Sequence, residues 1–166
     1  MTAAVTGASG HIGNNLCREL IKKGIKTKAL ARVDIIALQE LNIDIIKGDI
    51  TNKESLYKLI EDVDVVFHLA AVISIEGNSK GFLNDNNVIG TRNLIEVCQE
   101  KQIKRFIHFS SIHALSQYPL NEELTEKNSL AGQDSYAYDQ SKSAAERIVL
   151  EAFGCICMEV NAFKGA

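Results

Sequence analysis

Short apolar runs alternate with amphipathic stretches along the whole chain. Residues 3–5 have the pattern of a buried strand, and apolar residues then recur at helical intervals from residue 12. The same alternation predicts further strands over 27–31, 43–47, 63–69, 105–109 and 155–160, and helices over 35–41, 52–61, 82–101 and 136–153. The polar stretch 76–81 is a predicted loop, and 112–134, which holds the only proline, is too irregular for one element. Strands that alternate with helices in this way predict an α/β fold with a doubly wound parallel sheet.

A glycine-rich turn follows the first predicted strand. Gly7, Gly10 and Gly13 are spaced as G-x-x-G-x-x-G, between a strand and a helix. In that setting the first glycine allows a tight turn, the second lets the backbone approach a pyrophosphate, and the third lets helix and strand pack closely. The helix start adds free N–H groups and a positive dipole end. A purely structural turn would use the same residues, but the strand–turn–helix order favours dinucleotide binding. The predicted cofactor contacts in this turn are Gly7, Ser9, Gly10, His11, Ile12 and Gly13.

The end of the second predicted strand bears on which dinucleotide binds. NAD sites place an Asp or Glu there to accept from the ribose 2′-hydroxyl, whereas a nearby Arg accommodates the 2′-phosphate of NADP. Here Ala31 stands at the acidic position, Arg32 follows it, and Asp34 lies two residues further on. A solvated cation at a strand end is the alternative for Arg32. The sequence favours NADP, with NAD as the second choice.

Two more strand ends supply predicted cofactor contacts. Asp49 can accept from an adenine amino group or cap the next helix, and the sequence leaves both open. After the fourth strand, small residues let a ribose or nicotinamide lie against the backbone, and His68 just before them is expected to be a hydrogen-bonded core histidine. The predicted contacts at these two ends are Asp49, Ile50, Leu69, Ala70 and Ala71.

Three polar side chains give the candidate chemistry. Tyr138 and Lys142 form a Y-x-x-x-K on a predicted helix, where positions four apart share a face. A neighbouring ammonium is expected to lower the pKa of the phenol, so that Tyr138 can exchange a proton with a substrate oxygen while hydride moves to or from nicotinamide. Ser111, at the end of the fifth strand, would hold the same oxygen. Tyr138 and Lys142 are also expected to contact the cofactor, Lys142 through the nicotinamide ribose.

Composition narrows the class of protein. The chain has 166 residues, 46% hydrophobic and 23% charged, with a net charge of −3, which gives no reason to expect nucleic acid or anionic membrane as a partner. No apolar segment approaches a membrane span and no signal peptide is evident, so we expect a cytoplasmic protein. Of the four cysteines, Cys17 and Cys98 lie on apolar helix patterns and Cys155 and Cys157 flank Ile156, without a C-x-x-C. Buried thiols are expected, and no metal site.

Six motifs in order resemble the extended short-chain dehydrogenase/reductase superfamily, also called the NAD-dependent epimerase/dehydratase family. They are TGASGHIG at 6–13, GDI at 48–50, HLAA at 68–71, NVIGT at 87–91, FSS at 109–111 and Y-x-x-x-K at 138–142. The strand end at Arg32 and the Phe-Ser-Ser motif are most similar to the dihydroflavonol-reductase-like branch. The resemblance covers nearly the whole chain and implies a Rossmann-type fold.

The resemblance also implies roles for particular residues. Ser111, Tyr138 and Lys142 match the catalytic trio, and Asn87 matches an asparagine that completes the site, the alternative being a helix-interior residue that bonds backbone. His113 lies where a side chain can face the substrate. Family members often pair through two long helices, here about 82–101 and 136–153, which makes a homodimer possible.

Family members are roughly twice as long and add a C-terminal domain that grips the substrate. Residues 1–166 are therefore expected to be one NAD(P)-binding Rossmann domain of a longer chain, without that substrate domain. The family usually has a proline after the sixth strand, where this chain has Val160-Asn161-Ala162.

Three functions compete at this point. The leading prediction is an NADP-dependent oxidoreductase acting on a carbonyl or hydroxyl of a small-molecule substrate. Epimerisation or dehydration of a nucleotide sugar with bound NAD is the second. A dinucleotide-sensing module without chemistry is the third, and the presence of Ser, Tyr and Lys together argues against it.

Overall fold

Five parallel strands form one sheet in this computed structural model, which describes residues 1–33, 35–73, 81–121 and 123–153. The sheet order is β3-β2-β1-β4-β5. The strands are β1 (Thr2–Thr6), β2 (Lys26–Ala31), β3 (Asp44–Lys47), β4 (Val65–His68) and β5 (Arg105–His108). The chain moves outward from β1 to β3 and then crosses to the other side of β1, as in the Rossmann arrangement. The predicted α/β Rossmann-type parallel sheet is confirmed; its sixth strand, 155–160, lies outside the described residues.

Within the described residues, four α-helices connect successive strands and a fifth follows β5. They are α1 (His11–Lys22), α2 (Ile36–Gln39), α3 (Lys53–Ile60), α4 (Gly90–Glu100) and α5 (Ala137–Phe153). Most boundaries lie within two or three residues of the predicted ones. The helix predicted over 82–101 differs, because a π-helical segment, Asn84–Ile89, precedes α4. This wider turn leaves Asn86 and Asn87 buried on the side that faces the sheet edge.

The irregular stretch 112–134 has little regular structure, as predicted. It contains a 3₁₀ turn, Ile112–Ala114, and an antiparallel bridge between Leu115 and Leu130. The hydroxyl of Ser143 on α5 donates to the Ala131 carbonyl at 2.8 Å and fastens the returning chain to the helix. The predicted loop 76–81 lies outside the described residues except for Gly81.

Both faces of the sheet are covered by helices. Side chains alternate across β1, so Ala4 packs with Leu56 and Leu94 of α3 and α4, whereas Ala3 and Val5 pack on the α1 side. This is why the middle of β1, residues 3–5, is apolar on both faces.

The buried cysteines have no polar role. Burial raises the pKa of Cys17 to about 11 and that of Cys98 to about 12, so both thiols stay protonated, as expected of small hydrophobic residues. Cys155 and Cys157 lie outside the described residues. Within the described part of the chain, no group of His, Cys, Asp and Glu could hold a metal ion.

The strand register sets where the site forms. Thr6 of β1 pairs with His68 of β4, and His68 pairs with His108 of β5. These strands therefore end at the same level, and the turns that follow them meet at one edge of the sheet.

Candidate active site at the carboxyl edge of the sheet

The glycine turn after β1 is too tight for other residues. Gly7 has a φ of +69°, and a Cβ there would lie 2.7 Å from the backbone of Leu69 and Ala70. A Cβ on Gly13 would lie 2.2 Å from the Gly7 carbonyl oxygen. Strand β1, its turn, helix α1 and the end of β4 are thus in backbone contact.

Helix α1 presents an open N-terminus to this turn. Its N-cap is Gly10, no side chain caps it, and its first turn has no acidic residue. The free N–H groups and the helix dipole are therefore available to an anion.

A cleft of about 520 Å³ opens beside this helix start. It is lined by eight of the predicted cofactor contacts, which are Gly7, Ser9, Gly10, Arg32, Ile50, Leu69, Ala70 and Ala71. Six predicted contacts are not among its lining residues, which are His11, Ile12, Gly13, Asp49, Tyr138 and Lys142. Sequence reasoning missed six lining residues, which are Leu30, Ala31, Val33, Gly48, Val72 and Asn86. Most of these directly adjoin predicted contacts at strand ends, so their position next to those contacts in the sequence could have identified them.

Arg32 and Asp49 face each other across the end of the cleft. The Arg32 Nη1 lies 3.7 Å from Asp49 Oδ2, and the Arg32 side chain is 53% exposed. Asp49 Oδ1 accepts from the backbone N–H and the hydroxyl of Thr51 at 2.8 and 2.7 Å. Burial works to raise the pKa of Asp49, but the bonds from Thr51 and the charge of Arg32 outweigh it and hold that pKa below its ordinary value.

Asp49 does not cap helix α3, so that alternative is wrong. Asn52 caps it instead, its Oδ1 accepting from the Glu54 N–H at 2.9 Å. The hydrogen bonds from Thr51 hold the Asp49 carboxylate in the turn that precedes the N-cap of α3.

His68 is a core histidine, as predicted. Its Nδ1 lies 2.7 Å from the hydroxyl of Thr6, and its Nε2 lies 2.8 Å from that of Thr91 on α4. Burial and the nearby charge of Lys142 lower its pKa to about 3. The ring therefore stays neutral and links β1 to α4.

Ser111 and Tyr138 meet at the exit of β5. Ser111 caps the 3₁₀ turn, where its hydroxyl accepts from the His113 N–H at 3.2 Å. Burial raises the pKa of Tyr138, the nearby Ser111 side chain opposes that rise, and Asp139 adds to it. The expectation that Lys142 lowers this pKa is wrong, because burial is the largest effect on the phenol and Lys142 is not among the groups that act on it.

Lys142 is 4% exposed and lies one helical turn from Tyr138. Its Nζ donates to the Phe109 carbonyl at 3.0 Å, at the end of β5. Burial lowers its pKa to about 8, and Glu146 partly opposes that fall. The ammonium is thus held by the sheet edge.

Asn87 joins three segments. Its Nδ2 donates to the Val72 carbonyl and to the Ser141 hydroxyl, each at 2.9 Å, and its Oδ1 accepts from the Val72 N–H at 2.7 Å. The Asn87 amide does hydrogen-bond backbone, but this backbone belongs to Val72, after β4, and not to its own helix. This one amide therefore hydrogen-bonds the π-helical segment to the cleft wall and to α5.

His113 lies next to the phenol. Its Nδ1 is 3.1 Å from Asp139 Oδ1, and its ring meets the Tyr138 ring edge-on, with 5.7 Å between centroids. Its side chain is 46% exposed, so it borders the open side of the site.

These residues fit an elongated anionic ligand. The glycine turn brings bare backbone to the cleft, the uncapped α1 suits a pyrophosphate, and Arg32 supplies a cation at the far end. A dinucleotide has this shape and charge.

Comparison with known proteins identifies the family. The sequence profile of the 3-beta hydroxysteroid dehydrogenase/isomerase family matches residues 4–164. The chain belongs to this family. It is part of the extended short-chain dehydrogenase/reductase superfamily that the motifs predicted.

Several relatives share this region. The chain is 35% identical over 158 residues to sterol demethylase protein B of Methylococcus capsulatus, covering 92% of this chain and 47% of that protein. It is 32% identical to a 2-alkyl-3-oxoalkanoate reductase of Stenotrophomonas maltophilia, covering 92% and 46%. Among solved structures, a UDP-glucuronic acid 4-epimerase from Bacillus cereus, in complex with UDP-glucuronic acid and NAD, is 27% identical with a TM-score of 0.79, covering 92% and 52%. The chain spans about half the length of these relatives.

In the part of the chain that the structure describes, no helix is both long and apolar enough to cross a bilayer. The expected cytoplasmic location stays a prediction.

Proposed function

We propose that this chain is the cofactor-binding part of an NADP-dependent oxidoreductase that interconverts a carbonyl and a hydroxyl group. The observation that supports this most directly is the position of buried Lys142 one helical turn from Tyr138, with its Nζ held 3.0 Å from the Phe109 carbonyl at the strand end that leads to Ser111. Family membership supports an NAD(P)-dependent reaction.

The proton transfer is assigned to Tyr138. Bound NADPH supplies the hydride for the carbonyl carbon. In that direction the Tyr138 hydroxyl gives its proton to the carbonyl oxygen, which becomes the alcohol, and the Ser111 hydroxyl holds that oxygen as charge develops. The raised pKa of Tyr138 keeps the phenol protonated at neutral pH, as a proton donor requires. Lys142 is assigned to the nicotinamide ribose.

Tyr138→Phe tests the assignment. Removing the hydroxyl should reduce NADPH oxidation with a panel of aliphatic and cyclic ketones at least about 100-fold, because the proton donor is lost. Tyr136→Phe is the matched control, since Tyr136 is 85% exposed two residues earlier and should leave the rate unchanged. Equal rates for Tyr138→Phe and the parent chain would contradict the assignment.

A second candidate is epimerisation of a nucleotide sugar, supported by the likeness to the NAD-containing epimerase from Bacillus cereus. Such an enzyme keeps its dinucleotide and returns the hydride to the same substrate. Heat-denatured protein would release stoichiometric NAD(H) in that case, whereas the leading proposal expects exchangeable NADPH.

We also propose a homodimer in which the helical region 84–100 and α5 of one protomer pack against the same two elements of its partner. Ile89 and Leu150 on these elements are 39% and 42% exposed, and pairing would cover them. Light scattering of the purified chain distinguishes a dimer from a monomer.

A further inference from the structure

Two side chains of helix α5 hydrogen-bond to Phe109 and Ser110, the two consecutive residues that follow β5. Lys142 donates to the Phe109 carbonyl, and Glu146, four residues further along the same helix face, accepts from the Ser110 hydroxyl. Ser111 follows immediately. The strand end that delivers Ser111 to the site is therefore held by both side chains.

Glu146 is itself buried, with 9% of its surface exposed. A buried carboxylate is costly unless it is paired and hydrogen-bonded. Ser110 supplies one hydrogen bond, and the ammonium of Lys142 supplies the opposite charge. The charge of Glu146 thus offsets part of the cost of burying the Lys142 ammonium.

Other titratable groups around Lys142 do not replace Glu146. Burial first, and then the charge of Lys142, lowers the pKa of His68 on β4 to about 3. Burial, His68 and Lys142 together lower that of His108 on β5 well below its ordinary value. Both rings are therefore neutral. Tyr138 on α5 keeps its proton, because burial raises its pKa.

Three other carboxylates near α5 have partners of their own. Asp139 is paired with His113 of the 3₁₀ turn. On α4, Glu96 and Glu100 bond to Lys53 and Tyr57 of α3. Among the described residues packed around Lys142, Glu146 is the carboxylate that balances its charge.

We propose that Glu146 is a positioning residue of the candidate site: it keeps Lys142 charged and, through Ser110, fixes the strand end from which Ser111 enters. This inference rests on the proposed function, which gives Lys142 its contact with the cofactor. Without the Glu146 charge, burial acts on Lys142 unopposed. Its pKa then falls further, and a larger fraction of Lys142 loses its proton near neutral pH.

The direct test is an NMR titration of the lysine side-chain signals of the cofactor-free chain from about pH 6 to about pH 10. Lys142→Arg assigns the signal by its disappearance. The Lys142 midpoint should be near 8 in the parent chain and lower by about 1 pH unit or more in Glu146→Gln. Glu151→Gln, an exposed change on the same helix, should leave it unchanged.

Glu146→Asp keeps the charge at a shorter reach and should lower the midpoint by less. A role in packing alone would lower the melting temperature and leave the Lys142 midpoint where it is, which would overturn the inference. If Glu146→Gln does not fold, an unchanged midpoint in Glu146→Asp overturns it equally.

NADPH titrations separate this inference from the proposed function. If the parent chain binds no NADPH at any pH, the proposed function fails while the midpoint test still decides the role of Glu146. If it binds, the NADPH affinity of both proteins should fall as pH rises, and the fall should begin at a lower pH in Glu146→Gln than in the parent. Coincident pH profiles would contradict the inference.

Discussion

At the residue scale, we expect Arg32 and its surroundings to decide the choice of dinucleotide. Ala31 offers no carboxylate to a ribose 2′-hydroxyl, and the Arg32 side chain is about half exposed toward the cleft. Its partner Asp49 is 3.7 Å away, beyond a short charge-assisted hydrogen bond. A 2′-phosphate would therefore meet a guanidinium that is loosely held.

Arg32→Ala should weaken NADPH binding about tenfold or more, because a charge-assisted bond to phosphate is lost. NADH affinity should change little. Fluorescence titration with both nucleotides measures the two affinities, and Arg92→Ala, an exposed arginine on α4, serves as the control. Equal losses for NADPH and NADH would mean that Arg32 does not read the 2′-phosphate.

Two buried histidines make stability depend on pH. Burial is the main cause that lowers the pKa of His68 to about 3 and that of His108 well below its ordinary value. As pH falls below about 6.5, these histidines bind protons in the unfolded chain but not in the folded chain, so the free energy of unfolding decreases. Neither ring nitrogen of His108 has a hydrogen-bond partner among the described residues.

The free energy of unfolding should fall by about 2 kcal/mol for each buried histidine between pH 7.5 and pH 5, measured by denaturant titration. His108→Phe should remove the contribution of that ring, while the change His11→Gln, at an exposed residue, should keep the full loss. A His108→Phe protein with the parental pH dependence would refute this explanation.

Residue identity was more predictable than residue environment. Three-residue spacing was enough to place Gly7 in a turn and Gly13 at the contact between helix and strand, and His68 was recognised as a core residue. The pKa of Tyr138 was not predictable, because the sequence does not tell how much water a phenol loses. The role of Asp49 was left open for a similar reason, since only coordinates show that Asn52 takes the helix cap.

At the element scale, the site depends on the contact between the β1 turn and α1. A Cβ at Gly13 would meet the Gly7 carbonyl, which is backbone and cannot rotate away. Any larger residue there has to push the helix off the strand and distort the phosphate turn.

Gly13→Ala should lower the free energy of unfolding by about 1–3 kcal/mol, the cost of overpacking, and abolish most NADPH binding. Gly132→Ala is the matched control, because a Cβ there meets nothing within 4 Å. Chemical denaturation and nucleotide titration measure the two effects. A Gly13→Ala chain with parental stability would contradict the packing argument.

The π-helical segment was the element that the sequence did not reveal. Its apolar spacing fits an ordinary helix, and an extra residue per turn leaves no clear trace in such a pattern. The reason for it lies in tertiary contacts, since Asn87 reaches Val72 and Ser141 at once.

At the scale of the whole molecule, alternation of strands and helices predicted the doubly wound parallel sheet. That inference succeeded because a parallel sheet covered on both faces leaves few other arrangements. The chain spans about half of its relatives, such as 47% of the Methylococcus capsulatus protein. Its division into domains stays a prediction, as do the roles of Ser111, Tyr138, Lys142 and Asn87.

The most direct test of the account is titration of this chain with NADPH and with NADH, followed by nicotinamide fluorescence. The account predicts saturable binding of both, with NADPH bound more tightly because of Arg32. Absence of binding up to about millimolar nucleotide, where binding free energy is only about 4 kcal/mol, would contradict the assignment of the cleft as a dinucleotide site.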